Sequence, residues 1–504
     1  MATKHNLKFH NVTFIYESSS ESLFRNISLQ VNSGWTGIVG ANGVGKTTLL
    51  KLATGLLEPN KGSISICRNS VYCPQRTDDI PEGLGEFVHT NTKSAHVIKN
   101  QLGVCEDWTG RWTTLSHGER KRAQIAVALW LEPDVFAIDE PTNHIDFQAC
   151  RIVTQALRSY EGIGLIVSHN RELLDLLCKQ CVFIEPPDII SRPGGVTHGM
   201  EAANEERQAL EKKHAEKKQA YKKLHREVVK RGELAKQASK MRSKRGLARR
   251  DSDSREKLNR VRVSGKDGVG GKLRGQLRGR LKQAQANMNQ INVKKQYKLG
   301  IWLPGSVSKR NFILQLSEGS LSLGGQKLLH YPELYISSTD RIALTGPNGS
   351  GKSTLIKHVV SLLNVEQEHI TYVPQEIDLS CSQDILAQAR ALPDNKLGHL
   401  MTIVSRLGSR PKRLLDSSEP SPGETRKLLL ALGMTSAPHI IIMDEPTNHM
   451  DLPSVECLEQ ALADCPCSLV LISHDEYFLR KLTSKRWNIA PDTSSDERFF
   501  LSIS

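Results

Sequence analysis

Two glycine-rich segments of this 504-residue chain have the composition and spacing to hold a polyphosphate. Gly40, Asn42, Gly43 and Gly45 lead into Lys46, Thr47 and Thr48, and Gly346, Asn348, Gly349 and Gly351 lead into Lys352, Ser353 and Thr354. The glycines let successive backbone N–H groups turn inward on phosphate oxygens. The lysine then reaches the β- and γ-phosphates, and the Thr47 and Ser353 hydroxyls suit a Mg2+ ion. Further along, Asp139-Glu140 and Asp444-Glu445 each close an apolar run, 135–138 and 440–443. The aspartates, Asp139 and Asp444, are placed for the metal's shell and the glutamates for polarising an attacking water. His169 and His474 each follow a serine at the end of another apolar run, 30 residues after their aspartate, and suit sensing of the γ-phosphate. Gln75 and Gln375, each after a proline, suit a loop that reaches the metal and its water.

These groups occur twice in one order. The first glycines are offset by 306 residues, the acidic pairs by 305 and the histidines by 305, which implies that one folding unit was duplicated whole. Each glycine loop follows a short apolar strand, 35–39 or 341–345, and opens a helix, 47–53 or 353–360. Strand, loop and helix in that order are what a P-loop requires. The expected fold class is α/β, with two P-loop domains joined by an α-helical hairpin linker. The expected domains are 1–190, 191–305 for the linker, and 306–504.

Charge separates the middle from the ends. The chain carries +14, yet residues 201–298 hold 30 Lys/Arg against 11 Asp/Glu, and the remainder holds 38 against 43. From Gly271 to Lys298 there are eight basic residues and no acidic one. Tyr221 and Tyr297 are the segment's only aromatics, which argues against base stacking and for phosphate contact with structured RNA or DNA. Residues 191–195 read as a loop. The spacing of Leu210, His214, Lys217, Tyr221, Leu224 and Val228 predicts a helix over 201–234 with a narrow apolar stripe. Leu273, Leu277, Leu281 and Ala284 predict a second helix over 272–297, antiparallel to the first. A tip bearing Gly246 and Gly265–Gly271 is expected between them, and 249–263 could form a third short helix. The N-terminus has no apolar core of a secretory signal, and no run is long enough to span a membrane. The ten cysteines are expected as reduced thiols of a cytoplasmic protein, with Cys178 and Cys181 a buried bystander pair.

Both repeats resemble ATP-binding cassettes, with motifs similar to Walker A, Q-loop, signature, Walker B, D-loop and switch histidine in that order. The signature loops match imperfectly: Leu115-Ser-His-Gly-Glu119 and Pro420-Ser-Pro-Gly-Glu424 stand against the family's LSGGQ or LSGGE. Ser116, Gly118, Ser421 and Gly423, the positions that would meet a γ-phosphate, are kept. Pro422 removes one N–H at a place where a helix's first turn tolerates proline. Asp146 and Asp451 match the D-loop. The family's adenine-stacking aromatic falls on Tyr16 in the first copy and on Leu323 in the second, which implies weaker stacking there. The resemblance implies head-to-tail pairing of the cassettes within a monomer. One ATP would lie between Lys46 and Ser421 and the other between Lys352 and Ser116, both sites competent for hydrolysis.

Two cassettes on one chain, joined by a long basic helical linker and each carrying DEPTNH, resemble the ABC-F proteins. That resemblance implies a soluble ATPase that binds the ribosome at the tRNA exit site, with rRNA and P-site tRNA met by residues 201–298 near the peptidyl-transferase centre. Gln75 and Ser116 are 41 residues apart and Gln375 and Ser421 are 46, so the first cassette has no inserted arm. A long linker without an arm resembles the antibiotic-resistance branch, and a general translation factor is the other expectation. The alternatives are the motor subunit of a transporter and a DNA-associated cassette ATPase.

Overall fold

The computed structural model describes residues 6–65, 69–142, 145–241, 266–289, 306–325, 327–409, 411–417, 420–448, 450–492 and 495–504. The chain falls into two compact units, 1–199 together with 297–504, and 200–296.

In the first repeat a six-stranded sheet runs in the order Ser70–Cys73, Val135–Asp139, Ile163–Val167, Gly34–Gly40, Cys178–Glu185, Asp188–Pro193. The first five strands are parallel and the last is antiparallel. Continuous apolar runs make strands buried on both faces, as parallel sheets require, and every residue of Val135–Asp139 and Ile163–Val167 is buried. Burying Phe136, Ile138, Leu165 and Ile166 stabilises roughly 1.5–3 kcal/mol each, enough to hold the acidic Asp139 and Glu140 at the strand's end. A three-stranded antiparallel sheet of Phe24–Val31, Leu7–Phe14 and Lys61–Ile64 covers the loop-bearing side.

The second repeat rebuilds this as an eight-stranded sheet. Its order is Gly319–Ser322, Leu328–Tyr331, Ser495–Ile503, Lys485–Asp492, Arg341–Thr345, Ser468–Ile472, Ile440–Asp444, Ile370–Val373. The strand that leads into the glycine loop, Arg341–Thr345, again lies beside the strand that ends before the histidine, Ser468–Ile472. The strands predicted from the apolar runs are therefore present, each one residue longer at most at an end. Residues Ser191–Pro193, read from the sequence as a loop, instead form the end of the antiparallel edge strand. Their backbone groups pair with Gln180–Val182. Gly194 then takes a φ of 88°, and the chain turns there into the following helix.

That helix is Val196–Met241, 46 residues, longer than expected at both ends and about 69 Å at 1.5 Å per residue. A second helix, Lys266–Asn289, follows. Gly268, Gly270 and Gly271, expected in an irregular tip, lie inside it. Their neighbours Lys272, Leu273, Arg274 and Gln276 are helix formers that carry the backbone through, against about 1 kcal/mol per glycine. The predicted third helix over 249–263, Gly246, residues 290–297 and the side chain of Leu273 lie outside the described residues. His214, Tyr221, Leu224 and Val228 are half-buried as a stripe, while Leu210 and Lys217 are exposed. Lys217 sits at the edge of the stripe, and its Nζ donates to the Asn287 carbonyl at 3.2 Å, tying the two helices together. Leu277 is buried and Leu281 and Ala284 half-buried on the second helix.

Candidate functional site

Both glycine loops leave the carboxyl end of a central parallel strand, beside the end of a neighbour, the place where open α/β sheets bind ligands. Gly45 and Gly351 turn the chain into the helices Lys46–Ala53 and Lys352–Ser361 with φ of 101° and 89°. A Cβ on Gly45 would stand 2.7 Å from Phe24, and one on Gly351 would collide with Leu323. Gly43 and Gly349, at φ 79° and 75°, face open space. In the first loop Lys46 Nζ donates to the carbonyls of Gly40 at 2.9 Å and Ala41 at 3.3 Å, and to Asn42 Oδ1 at 3.3 Å. In the second, Lys352 Nζ donates to Gly346 and Pro347, both at 2.9 Å. Burial draws both lysines below their ordinary range, against the pull of Glu140 on Lys46 and of Glu445 on Lys352.

Of the residues expected at the metal, the hydroxyl and the aspartate meet in each copy. Thr47 Oγ1 donates to Asp139 Oδ2 at 2.6 Å, and Ser353 Oγ donates to Asp444 Oδ2 at 2.6 Å. Glu140 and Glu445 follow in the left-handed region, φ 46° and 50°, a strained position for residues other than glycine. Each is pinned there by its N–H, donated to Val167 at 2.8 Å or to Ile472 at 2.9 Å. The turn aims each carboxylate at its histidine. His169 Nε2 lies 3.2 Å from Glu140 Oε1, and His474 Nε2 lies 3.4 Å from Glu445 Oε1. Burial pushes Glu140 up to about 8, with Asp139 adding to it, and burial with Asp444 does the same for Glu445, also to about 8. A carboxyl titrating near neutrality is matched to accepting a proton from water. Burial and the Lys352 ammonium lower His474 to about 4, so its ring is neutral; its Nε2 also lies 3.3 Å from Asn348 Oδ1.

A cavity of about 360 Å3 opens on the second site, lined by Leu323, Thr354, Lys352, Gln375, Asp444, Glu445 and His474. Among the described residues lining it, neither Ser116 nor Gly118 appears. In the first cassette Gln75, Thr77, His117, Lys121 and Glu140 line a cavity of about 240 Å3. The Q-loop there meets the signature of its own cassette, with Thr77 Oγ1 and His117 Nδ1 2.9 Å apart. Ser116 and Ser421 cap the helices His117–Trp130 and Pro422–Met434 through capping boxes with Glu119 and Glu424. Pro422 opens its helix, where the missing N–H costs nothing. Gly118 packs on Ile145, 3.2 Å from where a Cβ would stand, and Gly423 is half-buried. Tyr16 is 41% exposed, set edge-on to Phe14, with its hydroxyl 2.8 Å from Thr48 Oγ1. Cys178 and Cys181 are buried behind Gly37.

The cassettes also touch at these sites. The Asn42 N–H of the first loop donates to Asp451 Oδ2 of the second cassette at 2.8 Å. Reciprocally, Asp146 acts electrostatically on Lys352. The sequence reading missed two basic residues behind the acidic pairs. Lys121 is buried, with Nζ 3.3 Å from the Asp139 carbonyl, and Arg426, at the matching place, donates to the Asn448 carbonyl at 3.2 Å and lies in the field of Asp444 and Glu445. The signal was present: a basic residue stands five positions after the signature serine in both copies. Tyr72, three residues before Gln75, was also missed; its hydroxyl donates to Asp139 Oδ2 at 3.3 Å.

Two phosphate loops, each with a hydroxyl–aspartate pair and a glutamate–histidine pair at the ends of adjacent strands, define a tandem-cassette nucleotide hydrolase. The family described as ABC transporter matches residues 24–143 and again 329–448. Over the full length the chain is 25% identical to "Ribosome protection protein VmlR" of Bacillus subtilis (94% of this chain, 84% of that protein). It is 26% identical to "Probable ATP-binding protein YbiT" of Escherichia coli O157:H7, over 96% of each. It is also 27% identical to "ATP-binding protein Uup" of Caulobacter vibrioides, over 89% and 71%. Among solved structures, an archaeal ribosome recycling factor, aABCE1, crystallised with the stalk protein aP1, shares the fold. Its TM-score is 0.60 at 16% identity, over 97% of this chain and 89% of that one. The chain is an ABC-F family ATPase.

Proposed function

We propose that this ATPase acts on the ribosome, binding at the tRNA exit site and presenting residues 201–298 to rRNA and P-site tRNA near the peptidyl-transferase centre. The observation that carries this reading is the basic surplus of 30 against 11 confined to that segment. Its described helices hold Lys212, Lys218, Lys222, Arg226, Arg278 and Arg280 exposed, so the charge is available to a phosphate surface. Full-length similarity to a protein named for ribosome protection supports a role in protecting the ribosome from antibiotics, with general translation factor as the other outcome. Among the described residues no helix is long and apolar enough to cross a membrane, and a cytoplasmic location fits the proposed partner.

In this reading Glu140 and Glu445 are the catalytic bases, and His169 and His474 hold the γ-phosphate side of each glutamate. Lys46 and Lys352, with Gly40, Asn42, Gly43, Gly45 and Thr48, and Gly346, Asn348, Gly349, Gly351 and Thr354, hold the phosphates. Ser116 and Gly118 close on the second ATP and Ser421 and Gly423 on the first, within one monomer. Mg2+ fits the residues present: burial raises Asp444 above its ordinary value despite its serine, and Glu140 Oε1 and Glu445 Oε1 are buried with only a histidine ring beside each. Thr47, Gln75 and Asp139, and Ser353, Gln375 and Asp444, would hold the ion, which when bound neutralises charge on the β- and γ-phosphates.

The test is a chain carrying both Glu140→Gln and Glu445→Gln, which should be trapped with ATP. It is expected to co-sediment with ribosomes, and deletion of 201–298 should abolish that. Recovery with membranes, or binding to DNA that outcompetes rRNA, would overturn the reading.

A further inference from the structure

The contact surface between the cassettes holds an ion pair whose counterpart residues in the repeat bond within their own cassettes. Arg171 of the first cassette lies two residues past His169 and opens the helix Arg171–Leu177. Its Nη2 is 2.9 Å from Glu459 Oε1 and its Nη1 donates to Glu459 Oε2 at 3.3 Å. Glu459 belongs to the second cassette, on the helix Leu452–Ala463. The side chains are 5% and 0% exposed. Tyr477 of the second cassette lies under the guanidinium at 4.7 Å, and Lys481 Nζ adds a second cation to Glu459 Oε2 at 2.9 Å.

The repeat supplies its own control. Moved by the 305-residue offset, Arg171 falls on Glu476 and Glu459 falls on Thr154. Glu476 takes Arg486 of its own cassette at 2.7 Å, and Thr154 donates to Cys150 within its own helix at 2.7 Å. The reverse brace has been replaced by local bonds at both ends.

The pair's position gives it a role. The helix that carries Glu459 is capped by Asp451, the residue that accepts the Asn42 N–H of the first phosphate loop. The helix that carries Arg171 begins beside His169, whose ring faces Glu140. A rigid, desolvated link therefore joins the two ends of the first site, the phosphate loop through Asp451 and the glutamate–histidine pair through His169. Two contacts between Arg171 and Glu459, with Tyr477 stacked on the guanidinium and Lys481 on the carboxylate, fix the relative position of the two helices at this side.

We infer that Arg171 and Glu459 are positioning residues for the first ATP site, holding the second cassette's Asp451 on the first phosphate loop, and that the second site has no such brace. The two sites then assemble differently: the first stays docked, and the second opens and closes. The inference rests on Glu140 and Glu445 being the catalytic carboxylates. Failure of that premise would show separately, as Glu140→Gln and Glu445→Gln chains that each keep full turnover.

The experiment uses the full chain and reads single-turnover ATP hydrolysis at one site at a time. The Glu445→Gln chain reports the first site and the Glu140→Gln chain the second. Into each, Arg171→Gln and Glu459→Gln are introduced together, so that no buried charge is orphaned. The first-site rate is expected to fall about ten- to a hundred-fold, the scale on which misplaced binding groups act, and the second-site rate to change by less than about two-fold. Arg171→Lys keeps the charge but loses the two-point grip on Glu459 and the stacking on Tyr477, so it should slow the first site by less than the double variant while sparing the second; it covers the case in which the double variant does not fold. Equal slowing of both sites, slowing of the second alone, or no slowing would each overturn the inference.

Discussion

The first and second nucleotide sites share their catalytic set and differ in what surrounds it. At the first, Lys46 is held by three acceptors, Tyr72 donates to Asp139, and Asn42 reaches Asp451 of the other cassette. At the second, Lys352 has two loop acceptors, Asn348 turns to His474 of its own cassette, and Leu323 packs where Gly351 bends. At this loop position the Asn42 backbone N–H meets the other cassette while its side chain takes Lys46, and the Asn348 side chain lies against His474 of its own cassette. Duplication preserved the groups proposed to meet ATP, while at the contact between cassettes the Arg171 and Glu459 positions diverged to Glu476 and Thr154.

The strongest way to break this comparison is at the glutamates. Glu140→Gln and Glu445→Gln each remove a proposed general base, with an expected loss on the order of 10^2–10^4-fold at the altered site. Phosphate release by the two single variants should leave unequal residual rates, because the surviving sites are differently held. Identical residual rates would erase the functional difference while leaving the structural one.

The glutamates also give a pH dependence with a definite sign. Each has its folded value raised from 4.5 to about 8 by burial. Between those values the folded state holds protons that the unfolded chain has released, so the stabilising contribution is complete below 4.5 and is lost as pH rises through about 8. The nucleotide-free protein should therefore melt at lower temperature at pH 8 than at pH 6, and the chain with both glutamines should lose much of that difference. A melting curve that rises over this window in the wild type, with no change in the double variant, would show that the carboxyls are ionised throughout.

Much of this was legible in the sequence, for a physical reason. A phosphate loop needs glycine at left-handed positions and lysine at a fixed step, and central parallel strands need unbroken apolar runs. Gly40 to Thr48, 135–138 and their repeats therefore announced the elements that the structure contains, and with them the role proposed for these residues. The ends of the linker helix were less legible because Gly199 reads as a break although the helix runs through it, and Leu234–Met241 holds no glycine or proline where the stripe fades. Ser191–Pro193 read as a loop because proline and glycine follow, yet an edge strand tolerates proline. Arg171 and Glu459 were invisible: 288 residues separate them, and a basic residue after a histidine looks the same whether it faces water or a carboxylate.

A smaller effect belongs to the face that would meet adenine. Tyr16 offers a half-exposed ring, Leu323 a branched aliphatic side chain. Stacking of a base on an aromatic contributes about 1–3 kcal/mol, and the open setting of Tyr16 favours the lower end. Tyr16→Leu should weaken ATP at the first site about five-fold by that figure. Leu323→Tyr should strengthen the second only if the ring clears Gly351. Titration of a fluorescent ATP analogue into the Glu140→Gln and Glu445→Gln chains separates the two.

The smallest expected difference tests whether the hydrogen bond from Tyr72 matters or only its ring. The hydroxyl donates to Asp139 Oδ2, the oxygen that also takes the Thr47 hydroxyl, and burial with the Asp139 charge raises the phenol well above its ordinary range, so it stays a donor. Tyr372, at the matching step before Gln375, is likewise raised by burial and the charge of Asp444. Removing one hydroxyl partner from a carboxylate that keeps another costs about 1 kcal/mol, a few-fold in an affinity. Tyr72→Phe should shift the Mg2+ dependence of turnover at the first site by that amount, read in the Glu445→Gln chain. Tyr372→Phe, read in the Glu140→Gln chain, should shift the second site less, because Tyr372 feels Asp444 through its charge, whereas Tyr72 also donates a hydrogen bond to Asp139. Equal shifts would mean that both tyrosines act through the field at the aspartate, and the hydrogen bond seen at the first site would then not distinguish the copies.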